Sequence, residues 1–314
     1  MIAYIFQRIL GILPVLFMVS LATFFAIRVL PGDLATARLG DNATPEAVAD
    51  LRDELGLNRP LVVQYGEWIS GIVRGDPGNS LKSGLPVGTT LKQRLPATIE
   101  LAVLSIVVSF LIGIPLGVMA AVRQDRFLDQ VIRVVAVVGQ AVPSFWVAIV
   151  SLTLLSIYWS WAPPFEYRSV VEDPIHNMKQ MLLPALILGY AQSATLMRFT
   201  RSAMLEVLRQ DYIRTARAKG LRSSTVMWRH GLRNAMNPVL SISGVQLSTL
   251  IGGSLIIEQI FSLPGVGKLT LDAIVTRDYP QLQLNVLFLA LAVTATNLAV
   301  DLSYGWLDPR LRIR

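Results

Sequence analysis

The sequence contains no cysteine and only two histidines among its 314 residues. The absence of cysteine excludes disulfide bonds and thiolate metal ligands. Charge is scarce too: charged residues make up 16% of the chain, whereas soluble domains carry about 25%. The apolar residues fall in long uncharged runs, and the mean hydropathy is +0.53. This composition excludes an ordinary soluble domain and predicts an all-α integral membrane protein.

Sequence motifs of catalysis and nucleotide binding are missing as well. Neither HExxH nor GxSxG occurs, and His176 and His230 each stand alone, with no second histidine near them. The GVGKLT segment at 265–270 is not a phosphate-binding loop, because Ser262 occupies the first glycine position and Leu269 follows the lysine. We therefore expect no enzyme, and no catalytic, cofactor-binding or metal-binding residue in this chain.

Six apolar segments predict six transmembrane helices, since about 20 apolar residues span the hydrocarbon core. They are residues 9–27, 101–122, roughly the first 25 residues of 134–165 with a kink near Pro143, a span that starts with 181–197, and residues 235–257 and 279–300. An even number of spans puts both termini on one side. Sixteen basic residues then lie in short segments on that side, against four in the short loops opposite. This asymmetry predicts that both termini are cytoplasmic.

The longest segment between predicted spans, 31–95, is expected to be a small helical extracytoplasmic region. Thr44-Pro45-Glu46 is typical of a helix start, and Leu61, Tyr65, Trp68 and Ile72 repeat at helical spacing. The breakers in 75–86 predict irregular structure. We expect two parts: 1–95, with the first span and this region, and 96–314, with the five-helix core.

The polar segment 198–233 carries nine basic and two acidic residues, a net charge of +7 that equals the charge of the whole protein. Its periodicity predicts one amphipathic helix over 211–219, ended by Gly220, and a second over 224–234. In the second helix Arg222, Arg229 and Arg233 would share one face, and Trp228, Leu232 and Ala235 another. Helix, glycine and helix suggest a docking element. A solvated basic loop that contacts anionic lipid remains the alternative.

Ionisable residues are absent from the middle of every predicted span, although an ion-driven transporter usually needs one there. Glu100, Glu258 and Asp301 fall at span ends, where an interfacial role is expected. If the protein moves a solute against a gradient, the energy enters from another subunit. A self-contained channel or carrier and a membrane scaffold remain open alternatives.

Ordered motifs along the chain resemble one family of transporters. These motifs are DYIRTARAKG followed by HGLRNAMNPV, LPGD at 30–33, GDPGNS at 75–80, RLPATIEL at 94–101, FSLPGVGKL at 261–269, RDYP at 277–280 and LDPRLR from 307. Together they resemble the permeases of ABC importers, especially their dipeptide, oligopeptide, nickel and glutathione branch. The general permease motif has an acid where this chain has Arg214, and only Ala216, Gly220 and Leu232 match it. A base in place of this acid resembles the sequences of the peptide branch.

The resemblance implies a permease subunit of an ATP-driven peptide importer in a bacterial or archaeal inner membrane, with glutathione or nickel complexes as alternative solutes. Its implied partners are a second homologous permease, two ATPase subunits that bind ATP and Mg, an extracytoplasmic binding protein and membrane lipid, without nucleic acid. The residues implied to couple the chain to an ATPase subunit are Asp211, Tyr212, Arg214, Thr215, Ala216, Arg217, Ala218, Lys219 and Gly220.

Small and polar residues form a stripe along the fifth predicted span. The candidates for helix packing or for lining a pathway are Ser241, Gly244, Gln246, Ser248 and Gly252. Small residues let helix backbones approach closely, so packing is the favoured interpretation of the serines and glycines. Gln246 is instead expected to give an apolar cavity one of its few polar groups.

Overall fold

The computed structural model describes residues 2–29, 34–39, 43–54 and 56–307, and every regular element in these ranges is helical. The only strand-like feature described is an isolated bridge between Asn79 and Pro86. The helices are α1 (Ile2–Val29), α2 (Leu34–Leu39), α3 (Pro45–Glu54), α4 (Leu61–Arg74), α5 (Val87–Val122), α6 (Phe127–Ala141), α7 (Ser144–Trp159), α8 (Pro174–Leu208), α9 (Asp211–Ala218), α10 (Ser223–Thr225), a π-helical segment (Val226–Leu232), α11 (Arg233–Gly253), α12 (Leu255–Ile260), α13 (Val266–Val275) and α14 (Tyr279–Leu307). The predicted all-helical class is therefore confirmed.

Three described helices are long and apolar enough to cross a membrane: Leu10–Arg28, Val87–Val122 and Tyr279–Val300. They contain the predicted first, second and sixth spans. A fourth span follows if α6 and α7 are counted together, although these helices meet at an angle of 95°. The break falls at the predicted position, because Pro143 precedes α7 in an extended conformation. It is a sharp bend between two helices rather than a kink within one helix.

The helix α8 contains 181–197 of the fourth predicted span, and α11 covers the fifth only as far as Gly253, because α12 begins at Leu255. Neither α8 nor α11 is among the helices long and apolar enough to cross a membrane. Much of α8 is buried: Met181, Leu196 and Met204 have no exposed surface. The helix also includes buried polar residues, such as Gln180 and Ser193. A helix surrounded by protein can carry polar groups that a lipid-facing helix cannot. This explains why hydropathy alone does not identify α8 as a membrane span.

A glycine-lined crossing brings α5 against α8. A Cβ atom at Gly117 would lie 2.6 Å from Cβ of Thr200, and one at Gly113 would lie 2.9 Å from Cβ of Leu196. From the other helix, a Cβ atom at Gly189 would lie 2.6 Å from Cβ of Val108. The predicted close helix contact at Gly113 and Gly117 is confirmed, and α8 supplies the opposing surface.

By contact density the described chain forms two units. One holds 99–263 together with residues from 293 onward, and the other holds 2–98 and 264–292. In the second unit, α1 and α4 pack through an aromatic cluster in which the Phe24 and Tyr65 rings are 5.3 Å apart. Tyr65 Oη lies 2.7 Å from Ser20 Oγ. The predicted boundary near residue 95 stays a prediction.

The helices predicted within 31–95 are confirmed: α3 and α4 lie where the spacing placed them, and 75–86 is irregular. The short helix α2 was not predicted. LPGD at 30–33 lies outside the described residues. The irregular segment is tied to 264–292, because Asp278 accepts hydrogen bonds from the Ser80 hydroxyl and, at 3.0 Å, from the Leu81 amide.

Three segments that lie between the predicted helices are partly helical. Residues 258–278 contain α13, because Val266, Thr270 and Ala273 make one buried face. Residues 166–179 contain the start of α8, where the Asp173 side chain accepts a hydrogen bond from the His176 amide. The third is 87–100, which forms the beginning of α5. Short buried faces of this kind carry a weaker periodic signal than a full span.

Candidate functional site

The helix α9 occupies the centre of the basic segment. It runs from Asp211 to Ala218 after Gln210, which provides no side-chain cap. Only Ile213 and Ala216 are buried. The remaining predicted coupling residues are exposed: Asp211, Tyr212, Arg214, Thr215, Arg217, Ala218, Lys219 and Gly220. The helix thus presents a broad polar surface while two side chains fix it to the protein.

Gly220 ends this helix in the left-handed region, with φ of +77°. The Gly220 amide donates to the Arg217 carbonyl at 3.0 Å, and the Leu221 amide donates to the Ala216 carbonyl at 3.3 Å. These two bonds form a Schellman motif, which glycine favours because it has no Cβ atom. The prediction that Gly220 stops the helix is confirmed in its geometry.

The buried face of α9 packs on neighbouring helices of its own unit. Ile213, Ala216 and Val226 form an apolar cluster, against which Leu208 of α8 also packs. Across the segment, the Asn234 amide group donates to Tyr212 Oη at 3.0 Å and to the His230 carbonyl at 2.9 Å. The helix α9 is therefore linked both to the end of α8 and to the start of α11.

The segment 224–234, predicted to form the second helix, is helical throughout, but only part of it is α-helix. Val226–Leu232 forms a π-helix that continues directly into α11. Its wider turn changes which residues share a face. Val226 and Gly231 are buried, whereas Trp228, predicted on the apolar face, is 46% exposed. The prediction, which assumed 3.6 residues per turn, is therefore wrong for Trp228. It is confirmed for Leu232 and Ala235, which pack in one apolar cluster, and for the three arginines, which are exposed.

A buried ion pair lies near the start of α6 and was missed by sequence reasoning. The carboxylate of Asp129 is fully buried and accepts two hydrogen bonds from Arg201 of α8, at 2.8 and 2.7 Å. It also accepts the Asp125 amide at 2.9 Å. A signal existed: Asp129 shares its helical face with Ile132 and Ala136, both buried.

The stripe on α11 faces the part of α14 from residue 293 onward, which belongs to the same unit. A Cβ atom at Gly244 would overlap Val300, and a Cβ atom at Gly252 would lie 3.9 Å from Val293. Ser248 is buried and donates to Asn297 Oδ1 at 2.9 Å. The structure therefore places these three residues at a helix contact, as the favoured interpretation expected.

The other two stripe candidates are placed differently. Gln246 is 4% exposed, and its amide group donates to the Gln192 carbonyl of α8 at 2.7 Å. Its Oε1 atom is buried with no hydrogen-bond partner among the described residues. Ser241 donates to the Asn237 carbonyl of its own helix at 2.7 Å. Gln246 thus lies between α8 and α11, with an unused acceptor.

The acids predicted at span ends are bonded rather than free where their side chains are described. Glu100 accepts the Tyr167 hydroxyl at 2.7 Å. Burial and the neighbouring carboxylate together raise the pKa of the Tyr167 hydroxyl, so this tyrosine stays a neutral donor. Glu258 is buried and accepts the Ser254 hydroxyl at 2.9 Å. The Asp301 side chain lies outside the described part.

Comparison with known proteins gives consistent matches along the chain. The family model described as binding-protein-dependent transport system inner membrane component matches residues 113–313. The corresponding N-terminal model matches residues 1–102. A Brucella abortus (strain 2308) protein that bears the name of a peptide transport system permease is 43% identical over 312 residues, which cover 99% of both chains.

Two further matches extend the comparison. The glutathione transport system permease of Salmonella choleraesuis (strain SC-B67) is 37% identical over 314 residues, 100% of both chains. Among solved structures, a chain of the inward-facing methionine ABC transporter MetNI aligns with a TM-score of 0.57 and 16% identity, over 69% of this chain and 96% of that chain. At that identity the structural match shows a shared fold.

Proposed function

The chain belongs to the family of inner-membrane components of binding-protein-dependent transport systems, and we propose that α9 couples it to an ATPase subunit that drives peptide import. It is a permease subunit of an ABC importer. Within that established role, the proposal concerns the coupling residues, the partners, the topology and the solute.

The observation that carries the proposal is how α9 is held. Ile213 and Ala216 anchor the helix on Leu208 and Val226, while the rest of its surface is exposed. A short helix fixed in this way can seat in a groove on another protein and transmit the movement of that protein. Tyr212 and Asn234 would carry the movement into α11, and Leu208 would carry it into α8.

The proposed mechanism assigns the energy source to other chains. ATP and Mg would bind the partner ATPase subunits, and this chain would bind no cofactor. When two ATPase subunits close on ATP, each α9 helix would move with its groove and turn α8 and α11. The glycine contact of α5 with α8 and the Gly244 contact of α11 with α14 pack these helices closely, so in the proposed mechanism each pair would move together.

The proposed topology has six transmembrane helices, with α8 and α11 as the fourth and fifth, in a bacterial inner membrane. Both termini and α9 would be cytoplasmic, and 31–95 would be extracytoplasmic. The five-helix core would comprise 96–314. The distribution of basic residues supports this orientation, and the polar content of α8 and α11 fits helices that lie inside a bundle.

The proposed solutes are di- or oligopeptides, because the 43% identical relative bears a peptide permease name. Glutathione is the alternative, since the glutathione permease is 37% identical over the whole chain, and nickel complexes are a weaker one. The proposed partners are a second homologous permease, two ATPase subunits and an extracytoplasmic binding protein. Each permease would form half of the pathway, to which Ser241 and Gln246 are candidate contributors.

The deciding experiment uses the purified complex in liposomes. Peptides, glutathione and nickel complexes are presented separately with the cognate binding protein, and ATP hydrolysis and solute uptake are measured. Uptake that requires ATP and is lost in Gly220→Trp, while membrane insertion and yield are retained, would support the proposal. Solute flux through this chain alone would instead favour a self-contained channel or carrier. A complex without flux for any solute would favour a scaffold.

A further inference from the structure

A cavity of about 440 Å³ lies beside α9 and shares Arg217 with the candidate coupling residues. Its walls come from the end of α5, the last turns of α8, the outer side of α9 and the helical stretch that begins at Ser223. Its polar lining consists of Gln124, Arg209, Arg217, Ser223 and Ser224. The remaining walls are apolar and include Leu205 and Met227.

The two arginines that face this cavity have no counter-charge in the described part of the chain. Neither Arg209 nor Arg217 forms an ion pair or a side-chain hydrogen bond there, and no acidic residue lines the cavity. The nearby Asp211 instead contacts Arg214, at 3.5 Å. Two unpaired guanidinium groups beside one cavity give it a positive charge, which favours an anionic ligand.

The donors around the cavity indicate which anion fits. Guanidinium groups bind phosphate through paired hydrogen bonds, and the serine hydroxyls and the Gln124 amide can donate to further phosphate oxygens. The apolar wall indicates that the ligand also carries an apolar or uncharged part. We propose that this cavity binds a phosphate-bearing ligand, with its phosphate between Arg209 and Arg217.

Two sources share this chemistry: the headgroup of an anionic phospholipid and a soluble phosphate compound. Either ligand would bridge α8 to α9 and to the stretch that follows Arg222. An occupied site would therefore hold α9 more firmly in place. All of its lining residues belong to this chain, so binding can be tested without a partner subunit.

The lipid arm of the test uses the full-length chain in detergent and native mass spectrometry. Phosphatidylglycerol is titrated, with a phosphate-free diglucosyl diacylglycerol as the lipid control. We expect the Arg209→Gln/Arg217→Gln variant to bind phosphatidylglycerol about tenfold more weakly. The matched control, Arg126→Gln/Arg229→Gln, removes the same charge from exposed positions outside the cavity and should bind as the unaltered chain does.

The soluble arm uses inorganic phosphate with the delipidated chain and follows the thermal unfolding midpoint, against chloride at equal ionic strength. Weakened lipid binding confined to the cavity variant identifies a lipid ligand. A phosphate-dependent rise in the midpoint that only the cavity variant loses identifies a soluble one. If the cavity variant behaves like the matched control in both arms, the proposal is overturned. Should the double variant fail to fold, Arg217→Gln and Arg217→Lys allow the same comparison.

Discussion

Arg201 of α8 holds Asp129 of α6 through two hydrogen bonds, 2.8 Å from Nε to Oδ1 and 2.7 Å from Nη2 to Oδ2. The carboxylate is fully buried, and 21% of the arginine side chain is exposed. Removing one partner leaves an uncompensated charge, which costs about 3 kcal/mol in buried pairs. We expect Asp129→Ala to lower the free energy of unfolding by about this amount. The measurement is the thermal unfolding midpoint of the protein in detergent, which should fall.

The chain contains a matched control for this prediction. Asp211 and Arg214 form a pair of the same residue types at 3.5 Å, with side chains that are 94% and 77% exposed. Exposed pairs contribute about 0–1 kcal/mol, so Asp211→Ala should hardly change the midpoint. Equal effects of the two substitutions would show that burial of the Asp129 pair does not determine its contribution.

Two glycines of α11 give a second matched prediction. A methyl group at Gly244 would overlap Val300, whereas one at Gly252 would meet only Val293, at 3.9 Å. We expect Gly244→Ala to destabilise the chain by about 1–3 kcal/mol through overpacking. Gly252→Ala should be neutral or stabilising, since alanine favours helix over glycine by about 1 kcal/mol. Unfolding midpoints of both variants check the prediction, and a neutral Gly244→Ala would contradict the observed packing.

The sequence was sufficient for the features that depend on long-range composition or on a single residue type. The helices α3 and α4, the break at Pro143 and the stop at Gly220 were all predicted correctly. Each has a local cause. They are, in order, an N-cap followed by proline, apolar residues at helical spacing, a proline without an amide hydrogen, and a glycine with positive φ. The close contact at Gly113 and Gly117 was also predicted, but its partner helix was not.

Features that depend on which helices meet could not be predicted in the same way. Asp129 falls between the second and third predicted spans, and nothing local to it identifies Arg201, 72 residues away, as its partner. The π-helix at Val226–Leu232 broke the assumed period of 3.6 residues. The helix α8 is buried in protein and can therefore carry polar residues, which lower its hydropathy. In all three cases tertiary packing outweighed the local pattern.

Gly220 gives a prediction about backbone strain rather than space. Its φ is +77°, and nothing lies within 4 Å of the position that a Cβ atom would take there. Alanine would therefore fit without a clash, but the left-handed conformation would cost it about 1–2 kcal/mol. Asparagine, which tolerates this region better, should cost less. If the unfolding midpoints of Gly220→Ala and Gly220→Asn do not follow this order, strain does not explain the glycine.

The link between Tyr212 and Asn234 yields a prediction about coupling. The hydrogen bond is 3.0 Å long, and Tyr212 is 42% exposed. A hydrogen bond contributes about 0.5–1.5 kcal/mol net, and exposure places this one at the lower end. If the bond carries movement from α9 into α11, Tyr212→Phe should lower the solute transported per ATP hydrolysed by about twofold. The ratio is measured with the assembled complex in liposomes.

The control for this coupling measurement is Trp228→Phe. Trp228 is an exposed aromatic residue of the same segment, and its replacement by phenylalanine leaves the bond between Tyr212 and Asn234 intact. We expect its transport ratio to match that of the unaltered complex. A Tyr212→Phe complex that hydrolyses ATP and transports solute in the normal ratio would separate the bond from coupling. The route from α9 would then run through Ile213 and Leu208 into α8, because that packed contact is unaffected by the substitution.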